Sequence, residues 1–112
     1  MSRELHRVFV TQEAGFNFVD AERYGELIFI ARDDLWMIKD SAHNESVMLD
    51  IAARLRDFDP ENDWIVIAGS PYISAAIFLQ LGNKGVRSVR VLRWDRQTSK
   101  YQPLYLQLRR EI

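Results

Sequence analysis

Residues 64–83 carry no Asp, Glu, Lys or Arg, and the chain changes period inside them. "WIVIA" is a continuous apolar run. Gly69-Ser70-Pro71 follows, and then Ile73, Ala76, Ile77 and Leu81 recur at helical spacing. A short strand that is apolar throughout is of the fully buried kind. Ser70 suits a helix N-cap and Pro71 the first helical position. The run predicts an interior strand turning directly into a helix that ends at Gly82 or Gly85.

The other elements follow by the same logic. Leu5–Val10 reads as a strand with Val8 and Val10 on one face and Phe9 on the other. Asp20 suits an N-cap and Gly25 a C′ position around one or two helical turns, Ala21–Tyr24. Glu26–Ala31 is apolar on both faces and predicts a second interior strand. "RDDLWMIKD" has the charge of a loop, and its Leu35, Trp36, Met37 and Ile38 predict a cover for the core. A helix opens within Ser41–Asn44, and Met48, Ile51, Ala52, Leu55 and Phe58 share one face, opposite Asp50, Arg54 and Asp57. Pro60 stops it. "SVRVLRW" is a fourth strand. "KYQPLYLQL" is a fifth, alternating Leu104, Leu106 and Leu108 with Tyr105 and Gln107.

The predicted fold is α/β: a single small domain, residues 1–112, with a mixed five-stranded sheet (β-β-α-β-α-β-β) and two helices. Strand–helix–strand over 64–94 requires a parallel crossover. The "DRQTS" turn requires an antiparallel hairpin, and Pro103 places the last strand at an edge.

Composition narrows the function classes. The 112 residues contain no cysteine, which removes disulfides, thiol catalysis and zinc–thiolate sites. No apolar run approaches the roughly 20 residues of a membrane span. "MSRELHRVFV" is charged and strand-like, unlike a signal peptide. The expectation is a soluble cytoplasmic protein. Charge is unevenly spread: residues 1–63 hold 14 acids and 7 bases, and residues 84–112 hold 8 bases and 2 acids. Such asymmetry can mark a nucleic-acid surface or an acidic partner, although halves of a sequence are not faces of a fold.

Several constellations carry candidate chemistry. Gly69, Ser70 and Tyr72 sit where a strand-to-helix turn can hold an anion or phosphorylated small molecule. The lysine of a phosphate loop and the G-x-G-x-x-G pattern are both missing, and Pro71 removes a donor. Joining two buried elements is the simpler role. Ser70 lacks the G-x-S-x-G elbow, and His6 and His43 both precede it, so serine hydrolysis has no support. Asp57, Asp59, Glu61 and Asp63 alternate like calcium-loop ligands, but the turn glycine and the twelfth-position Glu are missing. No metal site, catalytic residue or cofactor is expected, and the balance is against an enzyme. Arg90, Arg93, Trp94, Arg96, Lys100 and Tyr101 mix cations with aromatics on the hairpin, which suits a partner surface or single-stranded nucleic acid. The structural alternative is a Trp94–Tyr101 cross-strand pair, with Asp95 bonding the turn.

Asn17, "YGEL" at Tyr24–Leu27, Gly69 with Pro71, and "L-x-W-D-R-Q…Y" at Leu92, Trp94, Asp95, Arg96, Gln97 and Tyr101 span most of the chain. In these features it resembles a family of small α/β proteins from bacteriophages, plasmids and bacterial genomes. The resemblance implies a phage or mobile-element setting and supplies no catalytic residue. The leading expectation is an accessory protein that binds a protein partner or itself, the latter as a homodimer through edge strand 100–108. The alternatives are nucleic-acid binding by the hairpin and a small-molecule site at 69–72.

Overall fold

A computed structural model describes residues 6–13, 15, 17–31 and 39–109. The strands are β1 (Arg7–Gln12), β2 (Glu26–Ala31), β3 (Trp64–Val66), β4 (Ser88–Asp95) and β5 (Lys100–Gln107). They form one sheet in the order β2-β1-β3-β4-β5. The first four are parallel, and β5 runs antiparallel to β4. Helices α1 (Ser41–Arg54) and α2 (Pro71–Asn83) precede β3 and β4, and a 3₁₀ helix, Val19–Tyr24, joins β1 to β2. The mixed five-stranded α/β fold read from the sequence is the fold observed. Most of the "RDDLWMIKD" segment, residues 32–38, lies outside the described residues, as does Leu5.

Alternation in β1 and β3 builds two cores. Phe9 and Ile65 face α1 and α2, packing with Ile51, Leu55, Ile73, Ile77 and Leu81. Val8, Val10, Trp64 and Val66 face the other way, onto Phe18, Ala21, Leu92 and Tyr101. Each fully buried large apolar side chain contributes roughly 1.5–3 kcal/mol. The two α-helices therefore share one face of the sheet, which the sequence left open, and the 3₁₀ helix covers the other.

α2 forms as its residues dictate. The Ser70 hydroxyl accepts from Tyr72 N–H at 3.2 Å, and Pro71 opens the helix. At its other end Val86 N–H reaches the Leu81 carbonyl and Gly85 N–H the Gly82 carbonyl, both at 3.0 Å, with Gly85 at φ +89°. These paired bonds are a Schellman stop. α1 starts at Ser41, inside the stretch read for it, with Asp40 capping His43 N–H at 3.0 Å, and it ends at Arg54, so that Phe58 packs from the turn beyond the helix.

Two readings change. β2 is not interior: it is the edge opposite β5. Its apolar residues are accounted for by the two cores, which reach both of its faces at Ile28 and Ile30 on one side and Leu27 and Phe29 on the other. Asp20 is not an N-cap, because the 3₁₀ helix starts at Val19, whose N–H donates to Asn17 Oδ1 at 2.9 Å. The acidic turn before β3 has structural partners of its own. Asp63 is fully buried and accepts from Arg7 N–H at 3.1 Å, Asp59 N–H at 2.8 Å and the Arg7 guanidinium at 3.2 Å.

Candidate functional site

In an open α/β sheet, ligands sit at the carboxyl ends of strands where the chain leads away in opposite directions. Here that place lies between β1, which leads to β2, and β3, which leads to β4 on the other side. It is filled from within. Thr11 Oγ1 donates to the Ala68 carbonyl and accepts from Ala68 N–H, both at 2.8 Å. Gln12 Oε1 accepts from Ser70 N–H at 2.5 Å. Gly69 holds φ +75°, and a Cβ there would collide with the Gln12 side chain. Of the sequence-selected trio, Ser70 N–H faces Gln12, Tyr72 N–H faces Ser70 Oγ, and the Tyr72 ring is exposed. An anion at this helix start would have to displace Gln12.

Beside this plugged crevice lies an open groove of about 1000 Å³. β3 stops at Val66, but β4 and β5 continue as a hairpin beyond it. The notch between hairpin, β3–α2 turn and 3₁₀ helix is lined by Asn17, Val19, Ile67, Arg93, Trp94 and Arg96, among others. Val19, Ile67, Trp94 and Leu104 present exposed apolar surface there. Arg93 and Arg96 are exposed and have no carboxylate partner among the described residues. Asp20, also in the lining, is already paired with Arg23. The groove is apolar with a cationic rim.

The hairpin is held rigidly. Trp94 faces Tyr101 across the strands, ring centroids 5.0 Å apart and edge-on. Asp95 accepts from Gln97 N–H and the Thr98 hydroxyl, both at 3.0 Å. From the 3₁₀ helix, Asp20 Oδ2 accepts from Tyr101 N–H at 2.6 Å, while the Arg23 guanidinium and Tyr24 hydroxyl donate to the Tyr101 carbonyl. The Asp20–Arg23 pair thus imitates a neighbouring strand. Its hydrogen bonds with Arg23 and Tyr101 N–H hold the Asp20 carboxyl below its ordinary value, and the Asp20 bond raises the Arg23 guanidinium. Burial, and then the Asp20 charge, push the Tyr101 hydroxyl up.

The structure brings four of the six hairpin residues, Arg93, Trp94, Arg96 and Tyr101, to the groove. Arg90 lies elsewhere, its guanidinium carbon 3.9 Å from the Trp64 ring centroid, with Nε and Nη2 buried and without a hydrogen-bond partner among the described residues. Lys100 pairs with Asp95 in register, outside the lining. Sequence reasoning missed Val19, Ile67 and Leu104. Ile67 was read as interior strand, but Thr11 takes both backbone groups of Ala68 and the ladder ends at Val66.

Residues 6–108 match the family of phage Pam3 gp32-like proteins, and the chain belongs to that family. This bears out the phage-type family resemblance. Neither a curated relative nor a solved structure matches the chain.

Proposed function

With membership of the phage Pam3 gp32-like family as the premise, we propose that the chain is a non-enzymatic phage accessory protein that binds a protein partner in the hairpin groove. The occupant is a segment of mixed apolar and acidic character. The observation that carries this reading is the apolar groove of about 1000 Å³ rimmed by Arg93 and Arg96, neither of which has a carboxylate partner among the described residues. Aliphatic anchors at Val19, Ile67 and Leu104 suit side-chain burial, and the two cations select an acidic flank. Single-stranded nucleic acid needs several stacking platforms. Among the described exposed apolar residues of this groove only Trp94 is aromatic.

The test is selection of a random peptide display library on the immobilised protein. Enrichment of acidic, apolar peptides is expected, with binding lost in Ile67→Asp and in Arg93→Glu with Arg96→Glu. An unselective library, or a salt-dependent gel shift with single-stranded oligonucleotides that the same variants abolish, overturns the reading in favour of none or of nucleic acid.

A further inference from the structure

The open edge of β5 is closed along one half and bare along the other. Leu108 N–H donates to the Arg87 carbonyl at 2.8 Å, continuing the register in which Ser88 faces Gln107. Even-numbered residues of β5 therefore aim their backbone groups at β4, and Tyr101, Pro103, Tyr105 and Gln107 aim theirs at the open edge. At Tyr101, Asp20, Arg23 and Tyr24 occupy both groups. Pro103 has no N–H to offer. Tyr105 and Gln107 keep a donor and an acceptor each, with no partner on that side among the described residues. Leu104, Leu106 and Leu108 alternate with them, and these leucines are 41%, 46% and 60% exposed. They share one face of β5, where Leu106 and Leu108 line a groove of about 430 Å³ walled by Phe78, Leu81 and Val86, and Leu104 lies at the margin of the hairpin groove.

We propose that this half of β5 pairs antiparallel with the same segment of a second copy, with Leu106 on the two-fold axis. In that register Tyr105 bonds Gln107 of the partner subunit and Gln107 bonds Tyr105 of the partner subunit. Leu104 meets Leu108 of the partner subunit, and Leu106 meets its own copy. Only this axis matches all three leucines. An axis at Tyr105 puts Leu108 opposite Gln102 of the partner subunit and sets a donorless proline against Gln107. An axis at Gln107 leaves Leu104 with no leucine opposite. The strip contains no charge between 104 and 108, so two copies meet without like-charge repulsion. A two-fold contact of one strip with itself is closed, leaving the β2 strands as the outer edges of a ten-stranded sheet. The pairing shares only Leu104 with the hairpin groove.

Light scattering on the full chain at micromolar concentration is expected to give a dimer. Gln107→Pro removes only an outward donor and is expected to return a monomer with an unchanged thermal melt. The chain has no cysteine, so single substitutions report the axis directly. Opposed residues at the axis lie about 4.5 Å apart at Cα, inside the roughly 4.4–6.8 Å span of a disulfide. Leu106→Cys alone is expected to cross-link to itself under mild oxidation. Leu104→Cys and Leu108→Cys are expected to cross-link only when mixed with each other. A monomer at every concentration overturns the proposal, as do a dimer indifferent to Gln107→Pro and equal self-linking at all three positions. If Gln107→Pro loses its fold, the cross-linking pattern decides. Ile67→Asp, which tests the groove, leaves the dimer intact, and loss of the dimer there places the contact at the groove instead.

Discussion

Two turns at the same end of the sheet handle their polar groups in opposite ways. At the β3–α2 turn the amides of Ala68, Ser70 and Tyr72 are all taken, by Thr11, Gln12 and Ser70 side chains. At the β4–β5 tip, Asp95 and Asp20 hold the backbone while Arg93, Trp94 and Arg96 keep their side chains outward. Both turns are well ordered by their bonds, yet only the second has recognition chemistry left over. A helix N-terminus signals a ligand only where its own chain leaves the amides open.

The largest test of this contrast is Gly69→Ala. Left-handed backbone and overlap with Gln12 together predict a loss of about 3 kcal/mol in denaturant unfolding. Adding Gln12→Ala is expected to recover part of that loss, because the overlap with Gln12 Oε1 and Cδ goes, while the 2.9 Å approach to its Cβ, the backbone strain and the lost Ser70 hydrogen bond remain. Simple additivity of the two would show that they are not in contact. Next, Ser70→Ala and Trp94→Ala should each cost about 1 kcal/mol, through the helix cap and the lost aromatic pair. They should differ in function: the Trp94 variant loses peptide capture and the Ser70 variant does not.

The Asp20 clamp has a pH signature. Its carboxyl is lowered in the fold, so its contribution is present above the ordinary value near 3.8 and is lost as pH falls through the lower folded value. Asp20→Asn should remove that part of the acid-side loss, read as a melting temperature followed below pH 4. The smallest stability effect belongs to Arg93→Glu with Arg96→Glu. Both side chains are solvent-exposed and have no carboxylate partner among the described residues, so stability should stay within about 0.5 kcal/mol while peptide capture is lost.

Much of the fold was legible because it rests on short-range rules. Ser70-Pro71 at the start of α2, Ile73, Ala76, Ile77 and Leu81 on its buried face, the Trp94–Tyr101 pair, the Asp95 turn and the edge position announced by Pro103 all follow from spacing and local chemistry. The groove was half legible. The hairpin supplies Arg93, Trp94 and Arg96 in sequence, but Val19 and Ile67 come from other elements and carry no local mark of exposure. Arg90 looked like its neighbours in the sequence and differs only because Trp64 lies under it.

The sequence by itself determined the element types, the two-faced apolar strands, the caps and the hairpin, since periodicity and turn chemistry act within a few residues. Only the tertiary structure decided that β2 is an edge, that both α-helices share a face, that Gln12 plugs the α2 start and that Asp20 and Arg23 close half of β5. Those outcomes depend on residues 58 to 81 positions apart meeting in space. No local pattern encodes such a meeting, because it is the order of strands in the sheet that brings them together.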